Sequence, residues 1–188
     1  VGRDKSLEVI KSANEGDKLI GVIAQKDSTI EEPEEQDISR IGVVAKIVKV
    51  IKMPDGNSTV ILQGRRRFEL QQVLMMDPFI TATVKVFEEM SVDGKSNEVK
   101  AMISAVKELA ISIIELSPNI PSEATIALKN IESNTFLINF IASNLNVDVV
   151  NKQLILEESD FMKKSKLILV QLQEEMQLLE IKREIQGK

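Results

Sequence analysis

Any proton transfer or nucleophilic attack in this sequence would have to run on Ser, Thr, Lys, Asp or Glu, because it holds no Cys, His, Trp or Tyr. Without thiols there are no disulfides, thiolate nucleophiles or zinc thiolates. Without imidazole the commonest general base and metal ligand are missing. Gly94-Lys95-Ser96 lies between a strand-like and a helical run, where a phosphate-binding loop would put it. That loop needs another Gly five positions ahead, and Glu89 stands there, an acid that would repel phosphate. The tripeptide reads as a capped helix start. Arg65-Arg66-Arg67 falls on a strand, whose neighbours point to opposite faces, so the three cannot make one patch. Arg66 is expected on the apolar face, needing a carboxylate or carbonyl partner if buried. Asn57-Ser58-Thr59 fits a glycosylation acceptor, which matters only in a secreted protein. The pairs Glu31-Glu32, Glu34-Glu35 and Glu88-Glu89 lack the His partners that a transition-metal site favours. No catalytic, cofactor-binding or metal-ligating residue is predicted.

One apolar stretch is more promising. Val73-Leu74-Met75-Met76 sits just ahead of Asp77-Pro78, where the chain should turn. Two flexible thioethers in such a run suit an adaptable surface for varied apolar segments. The alternative is that these residues finish a strand and plug a barrel end.

The elements that would hold this run are centred on Ile41–Leu70, two strand-like segments joined by Pro54-Asp55-Gly56-Asn57, a strong hairpin signal. Ile41, Val43, Ala45 and Ile47 share one face by alternation, and Lys49 then breaks it, which predicts a bulge near Ile47-Val48. Val60, Leu62, Gly64, Phe68 and Leu70 keep one phase on the way back. So long a hairpin requires a barrel or a strongly curled sheet. Ahead of it, Asp4 caps a helix stopped by Gly16, and Leu19–Ala24 reads as a strand buried on both faces. The segment Asp27–Asp37 holds six acids and no base, a solvated loop or, less simply, a dock for a basic partner. Ile80, Ala82, Val84 and Val86 make an amphipathic strand.

After a turn-rich boundary at 90–97 the period becomes helical. Val99, Met102, Ile103, Val106, Leu109, Ala110 and Ile113 form one stripe; Pro121 opens a second helix. Ser133 caps a third, with a stripe of Phe136, Leu137, Phe140 and Ile141, and a fourth covers Val149–Leu156. A last helix opens at Ser159 and carries the seam Leu169, Leu172, Met176 and Leu179, with Leu178, Ile181 and Ile185 offset from it. A length of 188 residues with 43% hydrophobic and 28% charged content suits a soluble globular chain, and no apolar run approaches the roughly 18–20 residues a membrane helix needs. The net charge of −5 argues against nucleic acid as a partner. The charge is partly local: residues 1–90 carry 13 bases against 15 acids, but 13 against 9 without Asp27–Asp37.

Several short motifs occur in a fixed order: Val1-Gly2-Arg3-Asp4-Lys5-Ser6, Ala24-Gln25-Lys26-Asp27, Ile41-Gly42-Val43-Val44-Ala45, Pro54-Asp55-Gly56, Gly64-Arg65-Arg66-Arg67 and Lys152-Gln153. This ordered set resembles the N-terminal region of the bacterial ATP-dependent Lon protease family over essentially the whole chain. The resemblance implies an α+β fold: a PUA-like β-barrel or curled-sheet subdomain at 1–90, a helical subdomain at 91–158, and a long helix at 159–188 leading into a coiled-coil arm. It implies substrate recognition and regulation for a cytoplasmic, homohexameric AAA+ serine protease that degrades misfolded and regulatory proteins. ATP and Mg would act in that parent enzyme and no cofactor in this stretch; the partners would be unfolded or tagged polypeptides and further copies of the chain, with no membrane. The family's first strand, ahead of Val-Gly-Arg, is not in the sequence, which would leave a barrel edge open. Its ATPase and Ser–Lys peptidase modules are not in it either, so no catalytic or nucleotide-binding residue is carried over. A structural gate in the protease ring and a stand-alone PUA-like binding module are the alternative roles.

Overall fold

At Pro54-Asp55-Gly56-Asn57 the chain reverses as the dipeptide Asp-Gly demands: Gly56 takes φ +86, and Asn57 N–H donates to the Asp55 carboxylate at 3.0 Å. This turn joins β2 (Ile41–Lys52) to β3 (Ser58–Met75), an 18-residue strand. In the computed structural model, which describes residues 1–89 and 91–187, this hairpin is the centre of the first of two compact units, Val1–Glu89 and Met90–Lys188. Helix α1 (Asp4–Glu15) and β1 (Leu19–Val22) precede the hairpin, and β4 (Thr81–Val86) follows it. The sheet is antiparallel throughout, in the order β1-β2-β3-β4.

Register shifts bend the long strands. The expected bulge is present: the ladder skips Val48 between Ile47 and Lys49, and Val48 faces solvent. A second shift, which apolar alternation did not predict, lies between Val44 and Ala45, where Arg65 is skipped on β3. It moves the buried phase of β2 from Gly42 to Ala45 and Ile47. Leu19–Ala24 corrects another expectation. Its ladder covers only Leu19–Val22, it pairs with β2 alone, and both Leu19 and Val22 are more than two-fifths exposed, so it is an edge strand rather than a doubly buried one.

The second unit is helical: α2 (Asn97–Leu116), α3 (Glu123–Lys129), α4 (Asn134–Asn144), α5 (Val149–Glu157) and α6 (Phe161–Ile185). Ser133, Asp148 and Asp160 cap α4, α5 and α6, each accepting from a backbone N–H three residues on. Val106 and Ile113 of α2, Leu128 of α3, Ile155 of α5, and Ile168 and Leu172 of α6 meet in one core. The α4 stripe is rotated from its expected position. Leu137, Ile138 and Ile141 go inward, while Phe136 and Phe140 stack on each other at 6.2 Å, Phe136 being 58% exposed. In a helix apolar nearly all round, spacing alone does not choose the inward face.

Candidate functional site

Val73, Leu74 and Met75 form the last turn of the β3 ladder, and Met76 begins the loop to β4. The pairing runs Val73 with Ala82, then Met75 with Thr81, so Leu74 is skipped. A residue left out of the ladder is re-aimed by the bulge that omits it. Leu74 and Met75 are 57% and 54% exposed and adjacent, so their side chains are open to solvent at this tip. The four residues predicted from sequence therefore lie together at one tip of the sheet. Val73 and Met76, half-buried, tie that tip down.

Opposite them runs the acidic segment. Glu32, Pro33, Glu34, Glu35 and Gln36 line one wall of an open groove of about 490 Å³; Val73–Met76 line the other, with Lys5 between them. The expectation of a solvated loop holds for exposure, but local bonding gives this segment a defined shape. Lys26 N–H donates to Asp37 O and Ser39 N–H to Ala24 O, closing its base. Gln25 Nε2 donates to the carbonyls of Asp27 and Ile30. Glu35–Asp37 is a single helical turn with Glu34 at its N-cap, closed by a reciprocal cap, the Asp37 carboxylate accepting from Glu34 N–H at 2.8 Å. Arg40 joins the wall to the strand: its guanidinium meets Glu35 at 3.1 Å and reaches the Gln71 carbonyl at 3.4 Å.

Lys5 donates to Asp77 at 3.0 Å, and this hydrogen bond, helped by the nearby charges of Asp77 and Glu32, raises the ammonium pKa above its ordinary value. Asp27 is held below the usual carboxylate range by donation from the Thr29 hydroxyl and backbone. Both groups keep their charge at neutral pH. The groove thus has an apolar wall and a negatively charged one.

The arginine run behaves differently from its expectation. Arg67, not Arg66, is the buried one: it pairs with Val43, on the sheet face opposite Phe68 and Gly42, so the apolar phase of Phe68 and Leu70 does not mark it. Arg67 Nε donates to Glu89 at 2.9 Å, and its guanidinium lies over the Phe87 ring at 4.8 Å. Replacing Arg67 with Met keeps the stem but removes the fork; we expect a loss of about 1.5–3 kcal/mol in urea denaturation, since Glu89 is half-exposed and regains water. Arg65 and Arg66 line a second open groove with Asp17, Leu19, Val44, Lys46 and Val86. Ser96 stands at the N-cap position of α2, where Gly94-Lys95-Ser96 was expected to begin a helix. Among the described residues no three acidic side chains are grouped to hold a metal ion, and no helix is long and apolar enough to cross a membrane.

The family described as the ATP-dependent protease La (LON) substrate-binding domain matches residues 1–174. A Lon protease of Flavobacterium johnsoniae is 49% identical over 187 residues, spanning all of this chain and 23% of that relative. A Lon protease of Cytophaga hutchinsonii is 43% identical over 188 residues, again all of this chain and 23% of the relative. The chain thus spans less than a quarter of the length of these relatives. Two solved structures share its fold at low identity. The N-terminal domain of a Mycobacterium avium complex Lon protease has a TM-score of 0.62 at 17% identity, covering 82% of this chain and 90% of that one. A Lon N-terminal domain protein from Xanthomonas campestris also has 0.62, at 16% identity, covering 90% and 85%.

Proposed function

Since the chain belongs to the family of Lon substrate-binding domains, we propose that it captures unfolded or tagged polypeptide segments through Val73, Leu74, Met75 and Met76. It would deliver them to an ATP-driven serine protease of which it forms a part. One observation carries the reading: a bulge turns Leu74 out of the ladder and leaves it and Met75 more than half exposed beside a groove. Thioether and branched aliphatic side chains accept many apolar partners without a fixed shape, which suits a binder of varied chains. Each contact is weak. In a cytoplasmic homohexameric parent, using ATP and Mg elsewhere, six such tips would convert weak contacts into avidity. The division of labour would follow the fold, with 1–90 for capture and the helices at 91–158 and 159–188 for support and spacing.

The test is anisotropy of a fluorescent, permanently unfolded polypeptide titrated with the chain, a well-folded protein serving as control. Saturable binding of the unfolded chain alone is expected. Replacing Leu74 and Met75 together with Ser removes two apolar contacts and is expected to weaken binding tenfold or more, at about 1.5–3 kcal/mol for each side chain that would be fully buried. Unchanged affinity with an unchanged circular dichroism spectrum would sink the site. No binding by the wild-type chain up to about millimolar, about −4 kcal/mol, would favour the ring-spacing and gating role.

A further inference from the structure

We infer that the groove selects among polypeptides by charge: it takes apolar segments flanked by Lys or Arg and disfavours those flanked by Asp or Glu. This rests on the proposed capture role of Val73–Met76 and adds the substrate class. The apolar wall alone has no basis for such a choice. The opposite wall does: around the groove stand the carboxylates of Glu32, Glu34, Glu35, Asp37 and Asp77 against the three cations Lys5, Arg40 and Lys26. All three are already engaged, Lys5 with Asp77, Arg40 with Glu35 and Lys26 with the Gln36 carbonyl at 3.0 Å. A bound acidic flank would have to compete for them, while a basic flank meets carboxylates in excess.

The wall is also shaped in advance. Glu34 accepts from Gln36 Nε2 at 2.7 Å and takes part in the reciprocal cap of the Glu35–Asp37 turn, so its charge is held in place rather than swung on a free side chain. The Arg40 link to Glu35 and to the Gln71 carbonyl joins this wall to the strand that bears Leu74. Apolar and acidic faces of one groove therefore present themselves together to a segment that carries apolar residues next to basic ones.

The experiment uses three fluorescent unfolded peptides that share one apolar centre and differ in flanks of Lys, Ser or Asp, titrated into the chain at low and high salt. We expect the Lys-flanked peptide to bind about three- to tenfold tighter than the Ser-flanked one, and the Asp-flanked one to bind most weakly. The spread should shrink in about 1 M salt, where the screening length falls to about 3 Å. In the combined variant Glu32→Gln, Glu34→Gln, Glu35→Gln the three affinities should converge, with the Ser-flanked peptide little changed. Equal affinities in the wild-type chain would overturn the charge selection while leaving apolar capture standing. A charge preference that survives Leu74→Ser and Met75→Ser undiminished would place the basic flank elsewhere and overturn the groove. Self-association that disappears in Leu74→Ser, with no peptide bound, would make a second copy the occupant and would likewise refute the inference.

Discussion

Replacing Phe68 with Ala is expected to cost the sheet about 3–5 kcal/mol, the usual loss for a buried aromatic truncated in a core. Phe68 is 3% exposed, and its ring lies across two glycines, Gly42 on β2 and Gly21 on β1. A Cβ on Gly42 would come within 2.7 Å of the Phe68 ring and 2.5 Å of the Val22 carbonyl oxygen; one on Gly21 would sit 3.3 Å from the same ring. The glycines are thus the floor on which the ring rests, and the ring supplies the apolar cover that two strands without side chains there lack. Gly42→Ala should itself cost about 1–3 kcal/mol by overpacking. The double variant should cost less than the two losses combined, because removing the ring clears one of the two obstructions. The Val22 carbonyl remains, so the double variant should not regain the stability of Phe68→Ala alone. Urea denaturation gives the totals, and hydrogen exchange should place the lost protection in β1–β3. A loss under about 1 kcal/mol for Phe68→Ala would mean that the strands hold together without this contact.

The same ring marks where sequence reading stops. Phe68 and Leu70 were legible as core residues because they keep one phase, and the hairpin was legible because Asp-Gly after proline has few other uses. The glycine floor was not, since a glycine in a strand carries no phase of its own. Nor was the burial of Arg67: Arg66 was expected inside because it shares the phase of Phe68 and Leu70, whereas Arg67 is buried on the other face of the sheet, over the Phe87 ring and against Glu89. For the candidate site, sequence located the run Val73–Met76 by composition and its neighbouring turn. It did not show that Leu74 is out of the ladder, nor that Glu32–Gln36 forms the facing wall, because that contact joins residues some forty positions apart. The helical unit was the most readable, as capping residues are local signals. The last helix was expected to open at Ser159 and is capped instead by the next residue, Asp160; the larger error, the rotated α4 stripe, occurred where Phe136, Leu137, Ile138, Phe140 and Ile141 leave few polar positions to define a face.

In the helical unit the largest effect is expected at Ile168, which is fully buried on α6 in the core it shares with Val106, Leu137 and Ile155. Ile168→Ala should cost about 2–5 kcal/mol, the transfer term plus the cavity that rigid neighbouring helices leave unfilled. Just ahead, the Ser165 hydroxyl is completely buried and satisfied by the Phe161 carbonyl at 2.7 Å, so this part of the helix tolerates no water. Leu178→Ala is the informative contrast. Leu178 is 58% exposed, and with Ile181 and Ile185 it forms the offset stripe that the core does not use. Its truncation should move stability by no more than about 0.5 kcal/mol. The two outcomes together divide α6 by face. The face bearing Ile168 and Leu172, with Met176 and Leu179 packed beside the same core, belongs to the bundle, and the face bearing Leu178, Ile181 and Ile185 contributes little to folding. Apolar side chains that a fold does not need for its own stability are free to serve contacts with other surfaces. A loss at Leu178 as large as that at Ile168 would instead make the whole of α6 a structural part of the bundle, with no face to spare.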